Sequence, residues 1–263
     1  MSGTLAPAAT DAISRRVEQV MGMPISLALR GRHAHDERGE AAWQAALEVL
    51  DEADHMFSPY RDDSVVSRLA RHELTPAECP EEVREVLALG ERAREQSGGA
   101  FDVRRPSPGG GTVLDPSGVV KGWAVDRAAR AFDVLPDTDV CLSAGGDLVC
   151  RTVMTGSPGW RIGIEHPHDP ATVVAVVPVR NGAVATSGLA HRGAHIVDAR
   201  SGRTPAELAS VTVVGPDLVW ADIDATAAFA LGADALDWLR GRGRQSGLVV
   251  WADGSAALFG AGS

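Results

Sequence analysis

The spacing of apolar residues changes period once along this chain, and that change narrows the fold more than any other feature. A short alternation at Ile25–Leu29 reads as a strand, and helical spacing then takes over. Between Asp36 and His55, Trp43, Ala46, Leu47 and Leu50 recur three and four residues apart, which predicts an amphipathic helix. Pro59 and Asp62-Asp63-Ser64 break it, and Ser64 is placed to cap a short helix through Leu69. Pro80-Glu81-Glu82 opens another, acidic in its first turn and stopped by Ser97-Gly98-Gly99. Val119 to Phe132 makes a further amphipathic helix. From there the period falls to two. Val140–Ser143, Leu148–Val153, Trp160–Ile164, Val173–Val179, Val184–Thr186, Val211–Val214, Leu248–Trp251 and Ala256–Phe259 read as strands between turn residues. Only Val219 to Arg240 returns to helical spacing, as two helices meeting near Gly232. Helices gathered first and strands gathered later favour an α+β domain over a doubly wound sheet. The expectation is a single domain with a mixed or antiparallel sheet and flanking helices. The best candidate for a boundary, Arg104 to Thr112, reads equally well as a surface loop.

Composition matters here mainly for what it excludes. At 263 residues and 44% hydrophobic, the chain can build a core without disulfides or metal. Its formal net charge of -10 argues against wrapping nucleic acid or lying on an anionic membrane. No stretch approaches the length of a membrane span. Nothing in Met1–Val20 reads as an export signal, so a soluble cytoplasmic protein is expected. Cys79, Cys141 and Cys150 form no C-x-x-C pair and leave one over, which suggests neither a zinc knuckle nor a disulfide framework. Of the 25 basic residues only Lys121 is a lysine. Codon bias with one chance survivor is the bland reading; the functional reading is that one compact ammonium is kept where a guanidinium does not fit.

Four segments carry chemistry. In LDPSGVVKGWAVD, Pro116-Ser117-Gly118 opens a helix that is either an ordinary capped helix or, through its free amides with Lys121 one turn in, a site for an anion. In LSAGGDLV, Gly145-Gly146-Asp147 reads as a hairpin turn, or as a place where a ligand nears the backbone. From Ala185 to Pro205, Thr186, Ser187 and Gly188 offer hydroxyls and amides to phosphate oxygens. His191 and His195 are four apart, but with no Glu beside the first and no cysteine nearby they make a poor zinc pair. A histidine there serves either as a general base or as a hydrogen-bonded structural group. In WADIDATAAFALG, Asp222 and Thr226 stand at i and i+4 on one helix face, an oxygen pair suited to Mg²⁺; capping and back-bonding to the helix remain the alternative.

Taken in order, MGMPISL, FSPYRDDSVVSRL, GGAFD, LDPSGVVKGWAVDRA, LSAGGDL, WRIGIEHP, ATSG…RGAHIVDARSG and SVTVVG…ADIDATAAFALG resemble the FAD:protein FMN transferase (ApbE-like) family from Met21 to Trp251. The resemblance implies a T-fold-related catalytic domain over 21–263 behind an N-terminal extension, residues 1–20. It implies an enzyme that binds FAD and Mg²⁺, splits the pyrophosphate with release of AMP, and places FMN on a Thr or Ser hydroxyl of an acceptor protein. By motif match, Gly118 (through its carbonyl), Asp222 and Thr226 are the metal ligands. Met21, Tyr60, Ala100, Phe101, Asp102, Asp115, Lys121, His195 and Ile196 fall where the family contacts FAD, and His195, Lys121 and Asp222 are the catalytic candidates. The rivals are an FAD pyrophosphatase giving FMN and AMP, and a non-catalytic flavin-binding protein. Where the family commonly has a longer insert after a threonine, this chain has Arg104 and Arg105, with twelve residues between Asp102 and Asp115.

Overall fold

The period-two segments pair into one sheet, and the helical segments cover one of its faces. The computed structural model describes residues 12–106, 110–190, 196–243 and 245–260. In chain order the first half contains β1 (Ser14–Val20), β2 (Met23–Gly31), α1 (Glu37–Phe57), α2 (Val65–Ala70), α3 (Glu81–Gln96), β3 (Arg104–Pro106), β4 (Thr112–Leu114) and α4 (Ser117–Ala129). The second half contains β5 (Thr138–Ala144), β6 (Asp147–Arg151), β7 (Trp160–His166), β8 (Asp169–Val179), β9 (Gly182–Gly188), β10 (Leu208–Gly215), α5 (Leu218–Leu231), α6 (Ala235–Arg242), β11 (Ser246–Trp251) and β12 (Ala256–Phe259). Eight strands form an antiparallel sheet in the order β1-β2-β5-β6-β9-β10-β11-β12, while β3-β4 and β7-β8 are separate hairpins. This is an α+β fold with an antiparallel sheet, as the pattern of helices then strands implies.

Strand alternation sorts side chains between two layers. Ile25, Leu27 and Leu29 of β2, Leu142 of β5, Val149 of β6 and Val211 and Val213 of β10 face the helices. Ala28, Leu148, Cys150 and Val184 face the other way and pack under Trp160, Ile164 and Val179 of the β7-β8 hairpin. The helix ends follow from local chemistry. Asp36 caps α1 by accepting from the Arg38 and Gly39 amides at 3.1 and 3.0 Å, and Ser64 caps α2 by accepting from Ser67 at 3.1 Å. At Gly232 the backbone turns to φ 62°, which separates α5 from α6 at the expected place.

Two features differ from the reading of the sequence. Ser14–Val20, within the stretch read as an extension, forms edge strand β1 against β2. Arg15, Arg16, Glu18 and Gln19 give it no apolar alternation to detect, and an edge strand needs little burial. The short β3-β4 hairpin, where a loop was expected, joins Arg104–Pro106 to Thr112–Leu114. Among the described residues no helix is long and apolar enough to cross a membrane.

Candidate active site

The site begins where α4 and α5 meet. A Cβ on Gly122 would lie 2.8 Å from the Leu218 carbonyl oxygen and 3.0 Å from Asp222 Cβ, so only glycine allows the two helices this approach. The Gly122 amide donates to Asp222 Oδ2 at 3.0 Å. In a regular helix that amide serves the Gly118 carbonyl, so Asp222 competes with Gly118 for it. Gly122→Ala is expected to cost about 1–3 kcal/mol through overpacking. At about 2–4 °C per kcal/mol, thermal denaturation will show the loss. Gly241→Ala in α6, where a new Cβ meets nothing within 4 Å, serves as the control. An unchanged melting temperature for Gly122→Ala would show that the approach is looser than described.

Lys121 sits one turn into α4 and its ammonium pairs with two carboxylates, Asp147 and Asp222, the latter at 3.3 Å. Asp147 follows the hairpin turn at Gly145-Gly146, where φ values of 57° and 99° require glycine. Its Oδ1 accepts from the Thr186 amide of β9 at 2.9 Å, so two strands fix it. Both carboxylates are almost fully buried. Two buried anions against one cation leave a negative charge uncompensated.

Asp224, two residues further along the helix, has a different partner. It has its own guanidinium, with Arg242 Nε and Nη2 at 3.1 and 2.9 Å, which offsets part of the rise that burial imposes on its carboxyl. Asp222 has only a share of Lys121. Burial pushes the Asp222 carboxyl up to about 7, with Lys121 pulling it back and Asp147 adding to the rise. For Lys121, burial acts to lower the ammonium, but Asp222 and Asp147 outweigh it and hold the group above its ordinary range.

Of these groups, Lys121 and Asp222 open on a cavity of about 260 Å³. Its walls include Ala100, Phe101, Asp102, Asp115, Gly118, Lys121, Ile196, Asp222 and Thr226, so the structure brings nine of the expected site residues together. The Thr226 hydroxyl shares a hydrogen bond with Ser187 Oγ at 3.0 Å. A Cβ on Gly118 would press the Phe101 ring at 3.0 Å and come within 3.9 Å of Thr226 Cγ2. Met21 and Tyr60 are not brought into the lining. Met21 occupies the β1-β2 turn at φ 55°, and Tyr60 is 95% exposed in the loop after α1. His191 and His195 lie outside the described residues.

The site also holds residues beyond the expected contact and metal-ligand set. From the sequence, Asp147 reads as part of a Gly-Gly-Asp segment, a hairpin turn or a place where a ligand nears the backbone, with no role for its carboxylate. Arg105 lines the cavity, its Nε and Nη2 donating to Asp115 Oδ2 at 3.0 and 2.8 Å, while Asp115 Oδ1 accepts from Ser117 Oγ at 2.6 Å. The Gly145-Gly146 turn and the β7-β8 residues Ile162 to His166 complete the walls. Among the described residues no three His, Cys, Asp or Glu side chains gather as a metal cage. The available donors are all oxygens: the Asp222 carboxylate, the Thr226 hydroxyl and the Gly118 carbonyl. That set, with an uncompensated negative charge, fits a hard divalent cation that keeps several waters and takes one or two carboxylates.

Fold and site together define an α+β protein whose cavity pairs glycine-rich turns with a buried acidic centre. The ApbE family model matches residues 21–105 and 105–249, and the chain belongs to the ApbE family. It is 33% identical over 149 residues to the FAD:protein FMN transferase of Escherichia coli strain K12, a match covering 52% of this chain and 41% of that protein. The chain thus spans about two-fifths of the length of the relatives it matches in sequence. The ApbE protein of Thermotoga maritima superposes with a TM-score of 0.80 at 21% identity, covering 94% of this chain and 97% of that one. The apo flavinyl transferase ApbE of Pseudomonas stutzeri superposes at 0.79 with 23% identity, covering 97% of each.

Proposed function

We propose that this chain is a Mg²⁺-dependent FAD:protein FMN transferase, which moves FMN from FAD onto a Thr or Ser hydroxyl of an acceptor protein and releases AMP. The observation that carries this reading is the pair of buried carboxylates sharing one ammonium beside a cavity that Asp222, Thr226 and Gly118 help to line. A site with surplus negative charge binds a diphosphate only when a cation stands between them. Asp222, Thr226 and the Gly118 carbonyl would hold Mg²⁺, which supplies Lewis-acid neutralisation of the diphosphate oxygens. Lys121 adds a fixed point charge toward the same oxygens, and its two carboxylate partners keep it protonated and in place. Phe101 and Ala100 present apolar surface to the flavin nucleotide, and the Gly145-Gly146 backbone allows a bulky substrate to come close. A hydroxyl nucleophile needs a base, and His195 is assigned that role.

The test is binding and turnover together. In calorimetry with Mg²⁺ present, FAD is expected to bind more tightly than FMN and much more tightly than riboflavin, because metal and Lys121 both address the diphosphate. Equal affinity for riboflavin would remove the diphosphate from this site. Chromatography of the FAD mixture should show AMP, with FMN retained on protein hydroxyls. AMP accompanied only by free FMN, even with acceptor proteins supplied, would mark a pyrophosphatase instead.

A further inference from the structure

The three cysteines are free, and two of them face each other. Cys141 on β5 and Cys150 on β6 are directly cross-strand, and Cys150 Sγ–H donates to Cys141 Sγ at 3.7 Å. The hairpin closes with a two-residue turn at Gly145-Gly146, so Ala144 and Asp147 form its last hydrogen-bonded pair. Rungs alternate along an antiparallel ladder, which makes Cys141–Cys150 a non-hydrogen-bonded pair. Such pairs bring Cα atoms to about 4.5 Å. That separation is within the range of about 4.4–6.8 Å that a disulfide spans without moving the backbone. The flanking residues are small, with Ala28 opposite Cys141 on one side and Gly182 opposite Cys150 on the other.

Exposure divides the pair into two roles. Cys150 is fully buried beneath Trp160, Ile164 and Val179, whereas Cys141 is partly exposed. The hydrogen bond from Cys150, aided by Arg15, holds the Cys141 thiol below its ordinary range, while the same bond and burial push Cys150 up. Cys141 is thus the entry thiol and Cys150 the resolving one.

We infer that Cys141 and Cys150 form an oxidisable dithiol that closes into a cross-strand disulfide with a small-molecule disulfide such as oxidised glutathione. The Cys141 thiolate attacks one sulfur of glutathione disulfide and expels one glutathione thiolate, leaving a mixed disulfide on Cys141. Cys150 then loses its proton and attacks Cys141 Sγ, expelling the second glutathione. The protein loses two hydrogens and two electrons, and one glutathione disulfide becomes two thiols. This modification site is independent of the flavin-transfer reading.

The test uses the whole folded chain. Excess oxidised glutathione should lower the thiol count from three to one and the mass by about 2 Da, and dithiothreitol should restore both. Cys79 is the internal control. It is buried, donates to the Thr75 carbonyl and has its thiol pushed up by burial. No Lys or Arg lies between Cys141 and Cys150, so the mass change should fall in the single tryptic fragment 131–151. Cleavage before Asp147 should leave the two halves of that fragment joined until reduction. Cys141→Ser should keep both of its remaining thiols under the same treatment. The inference is overturned if all three thiols survive, if glutathione accumulates on Cys141 with Cys150 still free, or if the bridge joins two chains.

Discussion

Asp222→Asn is expected to abolish AMP release from FAD while leaving the fold in place. Asparagine keeps the shape and can still accept from the Gly122 amide, which now reaches Asp222 Oδ2 at 3.0 Å. It removes the only charged ligand assigned to the metal. A few kcal/mol of lost charge stabilisation corresponds to a rate loss of at least about a hundredfold. Excess Mg²⁺ should recover little of it, because the remaining donors, Thr226 and the Gly118 carbonyl, are neutral. The wild type should show a matching acid limb. Burial pushes the Asp222 carboxyl up to about 7, so below that pH a proton competes with the cation and activity falls. Raising Mg²⁺ should move that limb to lower pH. The stability effect has the opposite sign. A carboxyl whose pKa is raised by folding adds stability at low pH and loses it as pH climbs through about 7. Without metal, the neutral asparagine should therefore melt no lower than the wild type at pH 8. If Asp222→Asn instead unfolds the protein while activity per folded molecule persists, Asp222 is a structural residue and the metal assignment fails.

Lys121→Met is expected to be the most destabilising single change in the site. Asp147 and Asp222 would remain buried without their shared cation. Removing one partner from a buried ion pair costs about 3–5 kcal/mol. For a chain of this size that corresponds to a fall in melting temperature of about 6–20 °C. The loss should shrink as pH falls below about 7, where the Asp222 carboxyl, already pushed up by burial, protonates, and added Mg²⁺ should raise the variant's melting temperature more than the wild type's. Lys121→Arg keeps the charge but brings a planar fork into the space of a single Nζ, so it should hold stability better than activity. A methionine variant that melts with the wild type at pH 8 would mean that the two carboxylates are not buried against Lys121.

What the sequence disclosed depended on how local each signal was. The helix over Glu37–Phe57 shows in its spacing because it buries one side and exposes the other. Strands such as β5 and β10, buried on both faces, show as short apolar runs between turn residues. Ser14–Val20 does not, since an edge strand carrying two arginines and a glutamate is held largely by backbone hydrogen bonds, which leave no apolar alternation in the sequence. Trp160–Ile164 and Val173–Val179 were legible as strands, but alternation says nothing about partners. Their departure from the main sheet to roof the cavity could not be read from it. Within the site, Lys121 is a chemical anomaly as the sole lysine, and Asp222 stands out by its i,i+4 spacing to Thr226 in a largely apolar helix. Asp147 does not. Its importance arises from Lys121 across the fold and the Thr186 amide on another strand, contacts that no local motif encodes.

That sole lysine makes the molecule spectroscopically quiet everywhere except at its centre. A sample grown with ¹⁵N-labelled lysine carries a single labelled side-chain ammonium, held between two carboxylates at the cavity wall. Its resonance reports on the charge around it without assignment work and without a background from the surface. Nucleotide binding, cation exchange and the protonation of Asp222 can each be followed there on one line.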